Sequence, residues 1–154
     1  ENVIGVDFYP TLLEATKTSA PKDYLLDGLS LVPLLENPKA KLKRQAIYWH
    51  FPAYLQGYTA RHGNFRTTPA GAVRMGDWKL IEFFEDGTLE LYDTSKDISE
   101  TKNLAKKMPE KARELHEAML AWRKKTKAPV PTEPNPAYDP KSAKEGKAGK
   151  KGRK

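Results

Sequence analysis

The sequence predicts an α+β fold on three observations. Short β-type runs are joined by Gly-containing turns, a long amphipathic helix follows them, and 154 residues suit one modest core. The first element is a short helix over Val6–Ala15, with apolar Val6, Phe8, Tyr9, Leu12 and Leu13, and Pro10 placed where a first turn tolerates it. Thr18–Leu35 holds Pro21 and the Asp27-Gly28 pair, then an apolar stretch, so a loop leads into a brief turn of helix that stops near Asn37-Pro38.

A cationic connector, Lys39–Arg44, precedes the first strand, Ala46–Phe51, whose β-branched and aromatic run halts at Pro52. Ala53–Pro69 lacks periodicity and reads as a long loop, the kind of segment that carries binding residues. Ala70–Met75 and Trp78–Phe84 form strands around Gly76-Asp77. Leu89–Tyr92 pairs back through Glu85–Thr88, where Asp86-Gly87 predicts a type I′ turn. Trp78, Leu80 and Phe84 share one face of the middle strand and Ile81 and Phe83 the other, so both faces need cover. Asp97 and Glu100 have capping-box spacing. The last helix begins near Pro109 and draws one apolar stripe through Met108, Ala112, Leu115, Met119 and Trp122.

The net charge of +7 invites a nucleic-acid or anionic-membrane reading. Its location weakens that reading. Residues 141–154 hold seven cations against one anion, which leaves only +1 for residues 1–140. Beyond Lys127 the chain is Pro-rich and then a Lys/Gly/Ala tail, expected to be disordered from about Lys141 because it cannot offset its ordering entropy. Nucleic acid is thus an unfavoured partner, although a non-catalytic module with a basic tail for anionic glycan or nucleic acid remains the rival functional class. The absence of cysteine excludes disulfides, thiolate metal sites and a cysteine nucleophile within these residues. No apolar run is long enough to span a bilayer, so no membrane partner is expected. The start at Glu1, without Met or a signal segment, reads as a piece of something longer.

Several strings occur in a familiar order: Asp7-Phe8-Tyr9-Pro10-Thr11-Leu12-Leu13, Asp27-Gly28-Leu29-Ser30-Leu31, Tyr48-Trp49-His50-Phe51-Pro52 and Arg74-Met75-Gly76-Asp77-Trp78-Lys79-Leu80-Ile81. Leu91-Tyr92-Asp93, Asp97-Ile98-Ser99-Glu100 and Asn103-Leu104 follow. Together they resemble the C-terminal region of formylglycine-dependent (type I) sulfatases of the arylsulfatase or N-acetylgalactosamine-6-sulfatase kind. The resemblance implies a small four-stranded antiparallel sheet packed by the long helix and docked on a large α/β catalytic domain, the principal partner. It implies three segments: 1–38 as the end of the catalytic domain, 39–126 as the sheet-and-helix subdomain, and 127–154 as the extension and tail. Relatives are commonly periplasmic, secreted or lysosomal, which leaves the compartment of this chain unassigned.

Intact members of that family use calcium and a formylglycine made in a Cys or Ser, x, Pro, x, Arg motif. The nearest string here, Ser19-Ala20-Pro21-Lys22-Asp23, lacks the Arg. Sulfate-ester hydrolysis needs an activated nucleophile and a cation to offset sulfate charge, so the chain is expected to carry no catalytic residue, metal ligand or cofactor of its own and to be inert alone. Its expected contribution is substrate contact with a sulfated carbohydrate or aryl sulfate. The resemblance places His50 at the pocket rim. In the loop, Tyr54, Arg61, His62 and Arg66 can hydrogen-bond sugar hydroxyls or balance sulfate, with solvated loop positions as the plainer alternative. Arg74 and Lys79, at alternate strand positions, are expected as solvent-facing cations or in ion pairs, with a direct substrate role the less favoured alternative. The exposed apolar residues of such a piece are expected near Phe8, Leu12, Leu31 and Leu34.

Overall fold

The computed structural model describes residues 1–56, 65–133 and 135–138, with the side chains of Gln56 and Arg66 undescribed. The expected disordered tail therefore lies outside the described residues. Two compact units make up the chain, Glu1–Gln45 and the part that begins at Ala46.

In the first unit a 3-10 turn over Gly5–Asp7 runs into α1 (Phe8–Ala15), and α2 (Val32–Glu36) follows the loop. What holds these short pieces is Asp7, which is fully buried. Its carboxylate accepts from Ile4 N at 2.9 Å, from Leu29 N at 3.0 Å and from the Arg44 guanidinium. Burial pushes the Asp7 carboxyl upward, but the Arg44 and backbone hydrogen bonds outweigh it and hold the group below the ordinary carboxylate range. Thr11 continues the brace: its hydroxyl donates to Asp7 O and accepts from Leu31 N. Arg44 keeps the cationic connector with this unit, since its other arm reaches Asn2 O. Gly28 is required because a Cβ there would stand 2.1 Å from Val6 O. Phe8 at 67% and Leu12 at 60% are exposed, whereas Leu31 and Leu34 are half-buried and Leu35 takes the exposed position instead.

The second unit is a four-stranded antiparallel sheet in the order β1-β4-β5-β6, built from β1 (Ile47–Phe51), β4 (Ala70–Met75), β5 (Trp78–Phe83) and β6 (Leu89–Asp93). The helix α3 (Pro109–Thr126) packs on one face. Register explains the core. Tyr48, Val73, Leu80 and Leu91 line up across the four strands, and the last three, at 0% exposure, meet Ala112, Leu115 and Met119 of α3. The opposite face begins at Ile47 and carries Trp49, Phe51, Ile81 and Phe83.

Gly76, at φ +57, takes the first central position of the β4–β5 hairpin, where a two-residue turn demands a positive φ. The expected type I′ turn at Asp86-Gly87 does not form. Only Gly87 has a positive φ, Phe83 N donates to Thr88 O, and Gly87 N donates to Phe83 O, so a four-residue loop closes with a left-handed glycine. The capping box at Asp97 and Glu100 is also corrected. Asp97 accepts from Thr101 N and Lys102 N, but no helix starts there, and Glu100, at φ +54, turns to Lys79 at 2.6 Å. The long loop after β1 is not wholly irregular: β2 (Leu55–Gln56) and β3 (Phe65–Thr67) pair at its root.

Candidate functional site

The family strings resolve into joints of the scaffold. Arg74 donates to Gly76 O and to the Thr94 hydroxyl, and that hydroxyl in turn donates to Asp77 O at 2.8 Å, locking the β4–β5 turn to the end of β6. Asn103 behaves as a short substitute strand beside β6. Its amide oxygen accepts from Leu91 N, its amide nitrogen donates to Leu89 O, and Leu104 N donates to Leu91 O. These bonds cover backbone that an open sheet edge would leave bare.

The candidate substrate-contact residues sit at the end of β1 and in the segment that follows it. His50 Nε2 donates to Pro129 O at 2.6 Å, which ties the Pro-rich extension to the sheet. The imidazole leans on Phe84 at 5.5 Å and Trp122 at 6.1 Å, while Trp122 stacks on Tyr48 at 4.9 Å and 7°. Burial raises the Tyr48 phenol. Tyr54 is half-buried against Phe65, with ring centroids 4.7 Å apart. Arg61 and His62 lie outside the described residues, and Arg66 falls in β3. The structure thus brings Tyr54 to the base of the loop and gives His50 an internal partner.

Sequence reasoning missed a buried ionic cluster beside this site. Glu82 faces α3, accepts from the Arg123 guanidinium, and has His116 Nε2 at 3.2 Å without the alignment of a hydrogen bond. The Arg123 guanidinium also lies over the Phe84 ring at 5.1 Å. A signal did exist: Arg123 is four residues after Met119, where the apolar stripe calls for a hydrophobe. Among the described residues no three His, Asp or Glu side chains converge as a metal set.

The sheet of four, its helix and the sequence strings that lock them match a known family. The model for the C-terminal region of N-sulphoglucosamine sulphohydrolase fits residues 1–125. This chain belongs to that sulfatase C-terminal family. A sulfatase of Formosa agariphila is 32% identical over 143 residues, and arylsulfatase K of Rattus norvegicus is 36% identical over 108 residues. The matches cover 84% and 68% of this chain but only 24% and 18% of those two proteins. A solved structure described as a complex with its substrate D-glucosamine-2-N,6-O-disulfate superposes with a TM-score of 0.60 at 30% identity, covering 79% of this chain and 24% of that one. The sulfatase C-terminal chain therefore spans about a quarter or less of the relatives it matches. Among its described residues no helix is long and apolar enough to cross a membrane.

Proposed function

We propose that residues 1–154 serve as the C-terminal portion of a sulfatase that hydrolyses sulfate esters on carbohydrate or an aryl group, bracing the catalytic part and lining one wall of its substrate pocket. The nucleophile and calcium come from the remainder of that protein, and this portion is inert without it. The observation that carries the reading is the outer face of the sheet. Trp49 and Phe51 are 42% and 43% exposed there, on an edge strand whose other face is sealed by α3. Two aromatics that bury their remaining area on docking contribute about 4 kcal/mol. That is a substantial share of a domain interface, and the two rings project from the same face of an edge strand, where one partner surface can cover both.

Tyr54, Arg61 and His62 are the substrate-contact residues of this reading: they follow β1 in sequence and offer hydrogen-bond donors to sugar hydroxyls and sulfate. His50 acts behind them, holding the extension in place through Pro129. The test is an exchange: the Formosa agariphila sulfatase with its C-terminal quarter replaced by residues 1–154, assayed on a substrate that the unaltered relative turns over. Turnover should persist in the chimera and drop at least tenfold with Trp49→Asp and Phe51→Asp together. Full turnover by the relative with its C-terminal quarter deleted, or indifference of a folded chimera to both charges, refutes the reading.

A further inference from the structure

Residues 37–46 run from the end of α2 to the start of β1 without a helix or strand, and the boundary of the two compact units falls at Gln45. The cations of this connector alternate. Lys39, Lys41 and Lys43 are exposed, whereas Ala40, Leu42 and Arg44 are half-buried, which is the period of two that an extended chain imposes. Lys41 keeps a side chain that is 86% exposed although Glu1 lies 3.1 Å away, and Lys43 makes no ion pair among the described residues.

Main-chain bonding thins out along the same stretch. Asn37 closes a turn at its start, accepting from Lys39 N at 3.0 Å and from Ala40 N at 2.8 Å. From Lys41 to Arg44 no main-chain group pairs with another main-chain group among the described residues, and the Leu42 amide donates to the Glu1 carboxylate. Other exposed lysines are held differently: the amides of Lys17, Lys96, Lys102 and Lys107 donate into turns, and Lys124 and Lys125 lie in α3. An endoprotease must draw several residues into an extended pose. Turns and helices have to open first, but residues 41–44 need little rearrangement.

Arg44 differs from the lysine beside it. Its side chain is 12% exposed, and its guanidinium donates to the buried Asp7 carboxylate and, at 3.0 Å, to Asn2 O. A protease of trypsin-like specificity recognises the residue before the scissile bond through a carboxylate at the base of its pocket. Lys43 can offer its ammonium to that carboxylate directly, whereas Arg44 must first give up Asp7. The dibasic pair thus holds one open and one closed position.

We infer that residues 41–44 form a cleavage site for an endoprotease of Lys/Arg specificity, cut after Lys43 or Lys41 and shut after Arg44 by the Asp7–Arg44 ion pair. Water balances the step. The C–N bond between Lys43 and Arg44 breaks, the hydroxyl completes a carboxylate on Lys43, and the proton goes to the new amine of Arg44. The cut falls just before Ala46, where the second compact unit begins.

The test is digestion of the folded full chain with trypsin at a low ratio, the fragment ends being followed by mass spectrometry. Fragments beginning at Leu42 or Arg44 should appear at least tenfold faster than fragments beginning at Gln45, and before any cut after Lys102 or Lys107. Lys41→Gln with Lys43→Gln, two changes of exposed side chains, should leave the thermal transition in place and the whole connector uncut over the same period, because Arg44 stays closed. In Asp7→Asn the Gln45 end should appear as fast as the Arg44 end. Early appearance of the Gln45 end in the wild type or in the double Gln variant, a connector that outlasts the turns at Lys102 and Lys107, or an Asp7→Asn chain still slow after Arg44 would each overturn the site.

Discussion

Replacing Asp7 with Asn tests the most consequential polar joint of the first unit. The wild-type carboxylate is fully buried and accepts three hydrogen bonds, from Ile4 N, Leu29 N and Arg44. Asn keeps the volume but turns one acceptor oxygen into a donor, which then faces a backbone N–H or the guanidinium. It also leaves Arg44, whose side chain is only 12% exposed, without a counter-charge. Removing one partner of such a pair costs about 3–5 kcal/mol, against under about 1 kcal/mol for an exposed pair. Hydrogen exchange read by mass spectrometry reports the result segment by segment. Amides of residues 1–45 should lose protection by a factor of about 100 or more, while those of β4, β5 and α3 keep theirs. A loss below about 1 kcal/mol, or an equal loss in both units, would refute the reasoning.

The same side chain sets a pH dependence. Its folded carboxyl sits below the ordinary value of 3.8, so the stability it supplies is complete above that value and vanishes as pH falls through the lowered one. Protection of the first unit should therefore be flat above about pH 5 and collapse below about pH 4, and in Asp7→Asn this acid-linked part should be missing.

Three further outcomes follow from the second unit. Glu82→Gln leaves Arg123, 8% exposed, without a charge partner and should lower stability by about 2–4 kcal/mol in urea unfolding, with the slope unchanged. Lys127 closes α3 at φ +53, a conformation that costs a side chain about 1 kcal/mol, so Lys127→Gly should raise the melting temperature by several degrees. Trp49→Thr with Phe51→Thr removes two rings that are only 42% and 43% exposed, so stability in urea unfolding should fall by about 1–3 kcal/mol.

The parts legible in the sequence were those with a strong local period. The alternation of Trp78–Phe83 and the stripe from Ala112 to Met119 each state their own face, and the structure places both there. Local period could not show β2 and β3, which are two and three residues long and rest on the Tyr54–Phe65 contact. Nor could it show which loop length would enclose Asp86-Gly87, because that depends on Phe83 pairing with Thr88 and not on the dipeptide. The buried ion pairs were hidden by distance along the chain: Asp7 meets Arg44 at a separation of 37 residues and Glu82 meets Arg123 at 41. His50 shows the same limit at the candidate site: the resemblance implies a pocket rim, and nothing local announces its bond to Pro129, which lies 79 residues on in a segment that composition marks only as extended.

The measurement that bears most directly on the central claim is sulfate release by the purified chain. With calcium present, it would be offered an aryl sulfate and D-glucosamine-2-N,6-O-disulfate, and inorganic sulfate would be counted over hours against a protein-free blank. No release above the blank is expected, since residues 1–154 hold no formylglycine precursor motif and no three metal-ligating side chains converge among the described residues. Release proportional to protein concentration would contradict it.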